Sequence, residues 1–305
     1  MSGDGDAISD TDTGFALVAV LAFLLMAAAF SAPFLMGAKI QALVTRNTVQ
    51  LTRDKILLRG LIEMAGTRFF ELYQNREIDA ASSVFCPAAG PGRRDVIFRF
   101  QDHSGLIDLN AASAEALAIG FGSLAIKRDE AARLAAEAVR FRSVDDRQLP
   151  AGQPAPPRGG YKHALFERTA ELADLLAGSD IAQDKIDTVF TVHSGTGTVD
   201  EAAARGALLA RLGALKAGER FFIVSDVRRG SALTVEAALV SSDGHEASGS
   251  AVLAVDETAG KALFLEPPFF GRSARKTALD AASSALKCAD FFDPILLDAI
   301  AKVTL

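Results

Sequence analysis

The 305-residue sequence has no tryptophan, two cysteines, four histidines and two tyrosines, against twenty phenylalanines. Scarce cysteine and histidine narrow the chemistry first. Cys86 and Cys288 stand far apart, no CxxC occurs, and no Cys/His cluster has zinc spacing, which argues against a zinc centre. His103, His163, His193 and His245 are scattered, and Ser104, Ser194 and Ser225 sit in no nucleophile-elbow pattern. These residues are expected to be exposed or hydrogen-bonded loop residues, and the chain is read as non-enzymatic. A Lys/Arg run is also missing, and the formal net charge is -6, so nucleic acid is not expected as the main partner. Gly195-Thr196-Gly197 lacks the P-loop lysine and the third Rossmann glycine and leads into Asp200-Glu201, so it reads as a turn.

The dominant positive feature is a run from Phe15 to Ala38 with no charged residue. As a helix it extends about 36 Å, enough for a hydrocarbon core of about 30 Å. A polar leader, residues 1–13, precedes it, with Gly14 at the boundary. Ala27 to Ala29 and Ser31-Ala32 fit a signal-peptidase site after the run. Cleavage after Gly14 is the alternative, and it leaves the helix on the mature protein. The leader carries four aspartates and no cation, whereas Lys39, Arg46, Arg53, Lys55 and Arg59 come after the run. By the positive-inside rule this asymmetry favours a cytoplasmic C-terminal side.

From Lys39 to about Arg76 the helical period continues through Ile40, Leu43, Leu51, Leu58, Leu61, Ala65, Phe69 and Leu72. One helix from Phe15 to the mid-70s is predicted. Asp95 to Gln101 reads as a strand with Val96, Phe98 and Phe100 on one face. Helix-forming sequence follows to about Gly120, with Asn110 or Ser113 as its N-cap, helices are expected from about Arg128 to Phe141 and Glu167 to Leu176, and a Thr198/Glu201 capping box opens another that ends at Leu215. A proline- and glycine-rich loop occupies residues 150–160. Beyond Gly218 the texture changes to short strand candidates, 220–227, 232–240, 249–256 and 262–266, divided by turn signals. The tail holds a helix expected from about Ala274 to Ala289, then a break at Asp293-Pro294 and a short helix. Early and late strands must share a sheet to cover the apolar face of the long helix. The fold class is therefore α+β, with a helical block inserted between strands.

Two pairs of residues leave alternatives open. Cys86 and Cys288 form a disulfide if the body lies in an oxidising compartment, or remain two buried thiols; the sequence does not show that they meet. Asp145 and Asp146 supply oxygen donors of the kind calcium takes, but without EF-hand spacing, and Ser143 with Asp146 also fits a helix cap.

Several stretches in order resemble the K-class minor pseudopilins of type II secretion. They are Gly14-Phe15-Ala16-Leu17 with its apolar helix, Asp102 to Ser113, Tyr161 to Phe166 with Glu171-Leu172 after it, and Thr191 to Gly195 with Val199 and Ala202. The resemblance covers residues 14 to about 266. It implies a pseudopilin fold: a long N-terminal helix packed on a small antiparallel sheet, with a large all-helical domain inserted. The implied organisation is a leader over 1–14, a transmembrane half-helix over 15–38 and a periplasmic half-helix with the first strand over 39–105. The inserted helical domain takes 106–217, the antiparallel sheet 218–267 and a tail 268–305.

The resemblance further implies cleavage by prepilin peptidase between Gly14 and Phe15, N-methylation of Phe15, and a single-pass protein of the bacterial inner membrane with its body in the periplasm. The implied partners are the I- and J-class minor pseudopilins, the major pseudopilin, prepilin peptidase, the inner-membrane secretion platform and membrane lipid. Most pilin-like subunits carry glutamate at the fifth mature position, where its charge in lipid needs the N-terminus of the subunit above. Here that position is Ala19, which fits a subunit with nothing above it, at the pseudopilus tip. Some relatives bind calcium near the position of Asp145 and Asp146, but the family's aspartate-tryptophan-arginine-aspartate loop is here Phe141-Arg-Ser-Val-Asp145-Asp146. No cofactor other than calcium is implied. The leader also lacks the usual basic residue before its glycine.

A second resemblance belongs to a different functional class. Ile107 to Leu117 is similar to the opening of a helix-hairpin-helix DNA-binding module, as in membrane-anchored competence receptors, with Gly120-Phe121-Gly122 near the place of the phosphate-holding hairpin. Few cations accompany it, and phosphate contacts supply most non-specific affinity.

Overall fold

The computed structural model describes residues 11–75, 77–78, 82–87, 93–143, 161–176, 179–224, 232–241, 246–256, 261–271 and 285–303. The chain forms two compact units, Met1–Ile56 and Leu57–Leu305. Helix α1, Thr11–Gln74, begins in the first and ends in the second.

In the first unit every described side chain from Leu17 to Arg53 is exposed, with Phe23, Leu25, Phe30 and Met36 at 70–72% of full exposure. A helix that is apolar on all sides and has no protein partner suits lipid rather than water. It is long and apolar enough to cross a membrane. Ser31 lies in the apolar run and returns its hydroxyl hydrogen to the carbonyl of Ala27, 2.7 Å away, which satisfies its donor within the helix. Ile40, Leu43 and Leu51, expected on the core face of the helix, are exposed here.

The second unit buries the remaining part of α1. Leu58, Leu61, Ile62, Ala65, Phe69, Leu72 and Tyr73 recur at three- and four-residue spacing and are all buried. They face a sheet built from both ends of the unit. Strands β1, Ser83–Cys86, and β2, Arg94–Asp102, come first. Next, in chain order, come β3, Ile107–Asp108, and the helices α2, Ala114–Ser123, α3, Arg128–Arg142, α4, Leu172–Leu175, and α5, Gln183–Asp187. After β4, Phe190–Thr191, and β5, Val199–Asp200, come α6, Gly206–Gly213, and β6, Ile223–Val224. The chain then returns through β7, Ala232–Ser241, β8, Glu246–Asp256, β9, Lys261–Phe264, and β10, Phe269–Gly271. It ends in β11, Leu286–Lys287, α7, Cys288–Phe291, and α8, Pro294–Val303.

The main sheet has the order β10-β8-β7-β2-β1-β11, and β9 shares the outer edge of β8 with β10. Strand β2 pairs with β7 along its whole length, from Arg94 opposite Ser241 to Asp102 opposite Leu233. Alternation then aligns Val96, Phe98 and Phe100 with Leu233, Val235, Ala237 and Leu239 on the face covered by α1. The sheet is larger than the small antiparallel one expected and is mixed, because β11 joins β1 in parallel. The unassigned tail thus completes the sheet edge. The part of the helix expected over 274–289 that can be described is the strand Leu286–Lys287 and then a helix starting at Cys288; residues 272–284 lie outside the described residues.

Residues between β2 and β7 form the helical block, with its own core of Leu109, Leu117, Phe121, Leu134, Phe141, Phe166, Phe190 and Leu208 among others. Ser113 caps α2 by accepting from the Ala116 amide. Asp129 and Glu130 open α3 and Arg140 and Arg142 close it, each sign at the favourable end of the helix dipole. The capping box expected at Thr198 and Glu201 does not form. Val199 and Asp200 are instead buried as β5, which pairs in parallel with β6, and α6 starts later at Gly206. Strand β6 is therefore drawn away from the main sheet, to which the sequence assigns the 220–227 stretch.

Cys86 on β1 and Cys288 at the start of α7 are joined by a disulfide that spans 202 residues. In the chain-entropy model a loop of that size is worth about 5 kcal/mol. Beside it, Phe291 stacks on Phe100 with centroids 5.3 Å apart, and Phe100 stacks on Phe69 at 4.6 Å. Phe100 is fully buried between two partners, so Phe100→Ala is expected to destabilise by about 3–5 kcal/mol. Denaturant unfolding of the detergent-extracted chain, monitored by circular dichroism, checks this; a loss below about 1 kcal/mol contradicts the packing described.

Candidate functional site

Gly14 and Phe15 lie near the start of α1, which begins at Thr11, and their side chains lie outside the described residues. Ala19 is exposed within the charge-free run, among Leu17, Val18, Val20 and Leu21 at 52–65% exposure. Asp145 and Asp146 lie outside the described residues. Among the described residues no group of three His, Cys, Asp or Glu side chains is placed to hold a metal.

The stretches singled out in the sequence converge in the helical block. Asp108, 1% exposed, is the centre. Its Oδ1 accepts from the amides of Asn110, at 2.7 Å, and Ala111, at 3.0 Å. Its Oδ2 accepts from the Gly195 amide at 2.8 Å and the Ser194 hydroxyl at 3.1 Å. One buried carboxylate therefore ties the 107–113 turn to the 191–195 turn. Asn110 makes the second tie: its side-chain amide donates to the Phe166 carbonyl at 2.9 Å and accepts from the Phe166 amide at 2.8 Å, as a strand neighbour does. Arg142 donates to the carbonyls of Leu109 and Ala112. Burial lowers its pKa, and the nearby Asp108 charge opposes that. Glu171 closes the Tyr161–Phe166 segment by accepting from the amides of Glu167 and Arg168 and from Lys162. All these polar groups are spent on the chain itself, so this constellation fixes loops and leaves few acceptors for a ligand.

A second cluster joins the block to the sheet. The ring of His103 is buried between Thr191 of β4, 2.6 Å from Nδ1, and Thr234 of β7, 2.7 Å from Nε2. A neutral imidazole donates to one hydroxyl and accepts from the other, so either tautomer is satisfied. His193 lies beside it, with ring centroids 5.8 Å apart, and pairs with Glu266 at 2.8 Å. Gly105 completes the joint: a Cβ there would overlap the carbonyl of Ala203. That backbone approach admits only glycine. The sequence marks His103 and His193 only as loop histidines. The role of His103 depends on pairings 88 and 131 residues distant in the chain, which no local spacing encodes.

Gly120 and Gly122 lie inside α2, with Gly120 packed on Phe190, rather than in a hairpin. The chain turns later, where Ala125 adopts φ 64°, and the next helix opens with Asp129 and Glu130. Both features oppose phosphate binding.

No family model and no curated protein matches the sequence. Among solved structures, a chain of the GspK-GspI-GspJ complex from the type 2 secretion system of enterotoxigenic Escherichia coli is similar, with a TM-score of 0.52 at 10% identity. The match covers 76% of this chain and all of that one. The long helix, the mixed sheet and the helical block between its strands thus make a pseudopilin-like α+β fold.

Burial pushes the His103 pKa down to about 3, with the neighbouring His193 acting in the same direction and Glu266 opposing. Below about pH 6.5 the unfolded chain takes up a proton that the folded chain refuses. Stability is therefore expected to fall as pH drops from about 6.5 toward 3, by up to about 1.4 kcal/mol per pH unit from this group. Urea midpoints measured between pH 6.5 and 5 test this: His103→Gln is expected to flatten the dependence, and an unchanged slope refutes it.

Proposed function

We propose that this chain is a K-class minor pseudopilin of a type II secretion system, a structural subunit at the tip of the pseudopilus rather than an enzyme. The observation that carries the proposal is the pseudopilin-like fold beginning in an apolar helix whose described side chains up to Arg53 are exposed. Such a helix is stored in lipid and released into an assembly of like helices. The similar solved structure comes from a complex named for GspK, GspI and GspJ, which supports I- and J-class minor pseudopilins as partners here, together with the major pseudopilin. Prepilin peptidase cuts between Gly14 and Phe15, Phe15 is methylated, and the chain then docks on the inner-membrane platform. The neutral Ala19 favours a terminal place, because a glutamate there has no N-terminus above it to pair with.

In this reading the body lies in the periplasm. The cations Lys39, Arg46 and Arg53 oppose that orientation. The Cys86–Cys288 disulfide favours it, since such bonds persist in oxidising compartments. Calcium at Asp145 and Asp146 belongs to the same proposal. The DNA-receptor alternative lacks the glycine hairpin it requires.

Mass spectrometry of the membrane-extracted protein tests the proposal. The expected product begins at Phe15 and carries one added methyl group. An intact N-terminus, or cleavage near Ser31, overturns it.

A further inference from the structure

The C-terminal segment, residues 285–303, is bound to the body by little regular structure. Strand β11 has two residues, both exposed, and makes a parallel ladder of two pairs on the outer edge of β1. Helix α7 has four residues and α8 ten, too short to persist alone. Against this the segment supplies core: Phe291, Phe292, Cys288 and Ile300 are all buried. Phe291 covers Phe100, and Phe292 meets Phe98 edge-on at 5.5 Å. The Arg68 guanidinium on α1 donates to the Phe291 carbonyl at 2.9 Å, satisfying a group at the end of α7. Lifting the segment therefore opens Phe98 and Phe100 to water. The disulfide stands at the point where the segment meets the sheet, next to the two-residue ladder. A cleft of about 590 Å³ lies beside the bond, lined by Phe85, Cys86, Leu286, Cys288, Leu297 and Ile300 among others.

We propose that residues 285–303 form a strap latched by Cys86–Cys288, which closes the aromatic core only after the two thiols have been oxidised. The oxidant is a disulfide of the thiol–disulfide exchange class. Each cysteine gives up its proton and one electron, the Cys86–Cys288 bond forms, and the oxidant's disulfide is reduced to two thiols. The latch postpones closure of the core until the body meets an oxidising compartment. It holds whether or not the chain works in secretion, because it concerns only this fold.

The full-length detergent-extracted protein is treated with a dithiol reductant under native conditions, then with an oxidised disulfide. Alkylation counts thiols, and limited proteolysis maps protection. The untreated protein is expected to resist alkylation at both cysteines. After reduction, cleavage within 285–303 is expected to become about tenfold faster or more, while residues 114–143 and 179–213 keep their protection. Reoxidation is expected to restore the original pattern. Cys86→Ser/Cys288→Ser is expected to behave as the reduced protein does, and Phe291→Ala with both cysteines intact is expected to keep the segment attached. Two alkylatable thiols in the untreated protein overturn the latch. Unchanged protection after reduction, or equal loss across 114–143 and 179–213, overturns it as well.

Discussion

Three phenylalanines hold this molecule's second unit together. Phe69 from the end of α1, Phe100 from β2 and Phe291 from α7 stack in sequence, 4.6 and 5.3 Å between centroids. Two come from early in the unit and one from near its end. Each stacked contact is modest, about 0.5–1.5 kcal/mol beyond the area buried, but the position of each ring fixes an element. Phe69 sets the rotation of α1 about its axis. Phe100 sets the register in which β2 presents its alternate residues, and Phe291 brings the C-terminal segment onto the same face.

From that core the helical block hangs on a second, polar set of contacts. Where the sheet side is apolar and close-packed, the junction is made by hydrogen bonds from His103, Thr191 and Thr234 and by the backbone contact at Gly105. Within the block, Asp108 and Asn110 do for the loops what ladders do for strands. Buried polar groups of this kind specify one arrangement because any slip leaves them unpaired.

The parts legible in the sequence are those with a long local period. Helix α1 shows its 3.6-residue repeat, β2 alternates Val96, Phe98 and Phe100, and α3 is expected over about Arg128 to Phe141. The block between strands is implied by the need to cover α1. The illegible parts depend on distant pairing. Strands β3, β5 and β11 are two residues each, too short to leave a pattern, so the stretch at Thr198 reads as a helix start and β11 as part of a helix. The motif residues Asp108, Asn110 and Phe166 stand out through a family resemblance, and their physical task emerges only once three separate stretches lie together. The joint at His103 has no local signal at all.

The first unit and the second carry opposite hints about orientation. The cations after the apolar run favour the cytoplasm for the body, and a disulfide closing the core favours an oxidising side. In the proposed function the apolar helix anchors a pseudopilin-like body outside the cytoplasm. The direct measurement is the activity of an alkaline phosphatase reporter, which needs its own disulfides to work, fused after Leu305 of the full chain. An active phosphatase is expected and, for the matching fusion to a fluorescent protein that matures only in the cytoplasm, no fluorescence. An inactive phosphatase with a fluorescent partner fusion contradicts it.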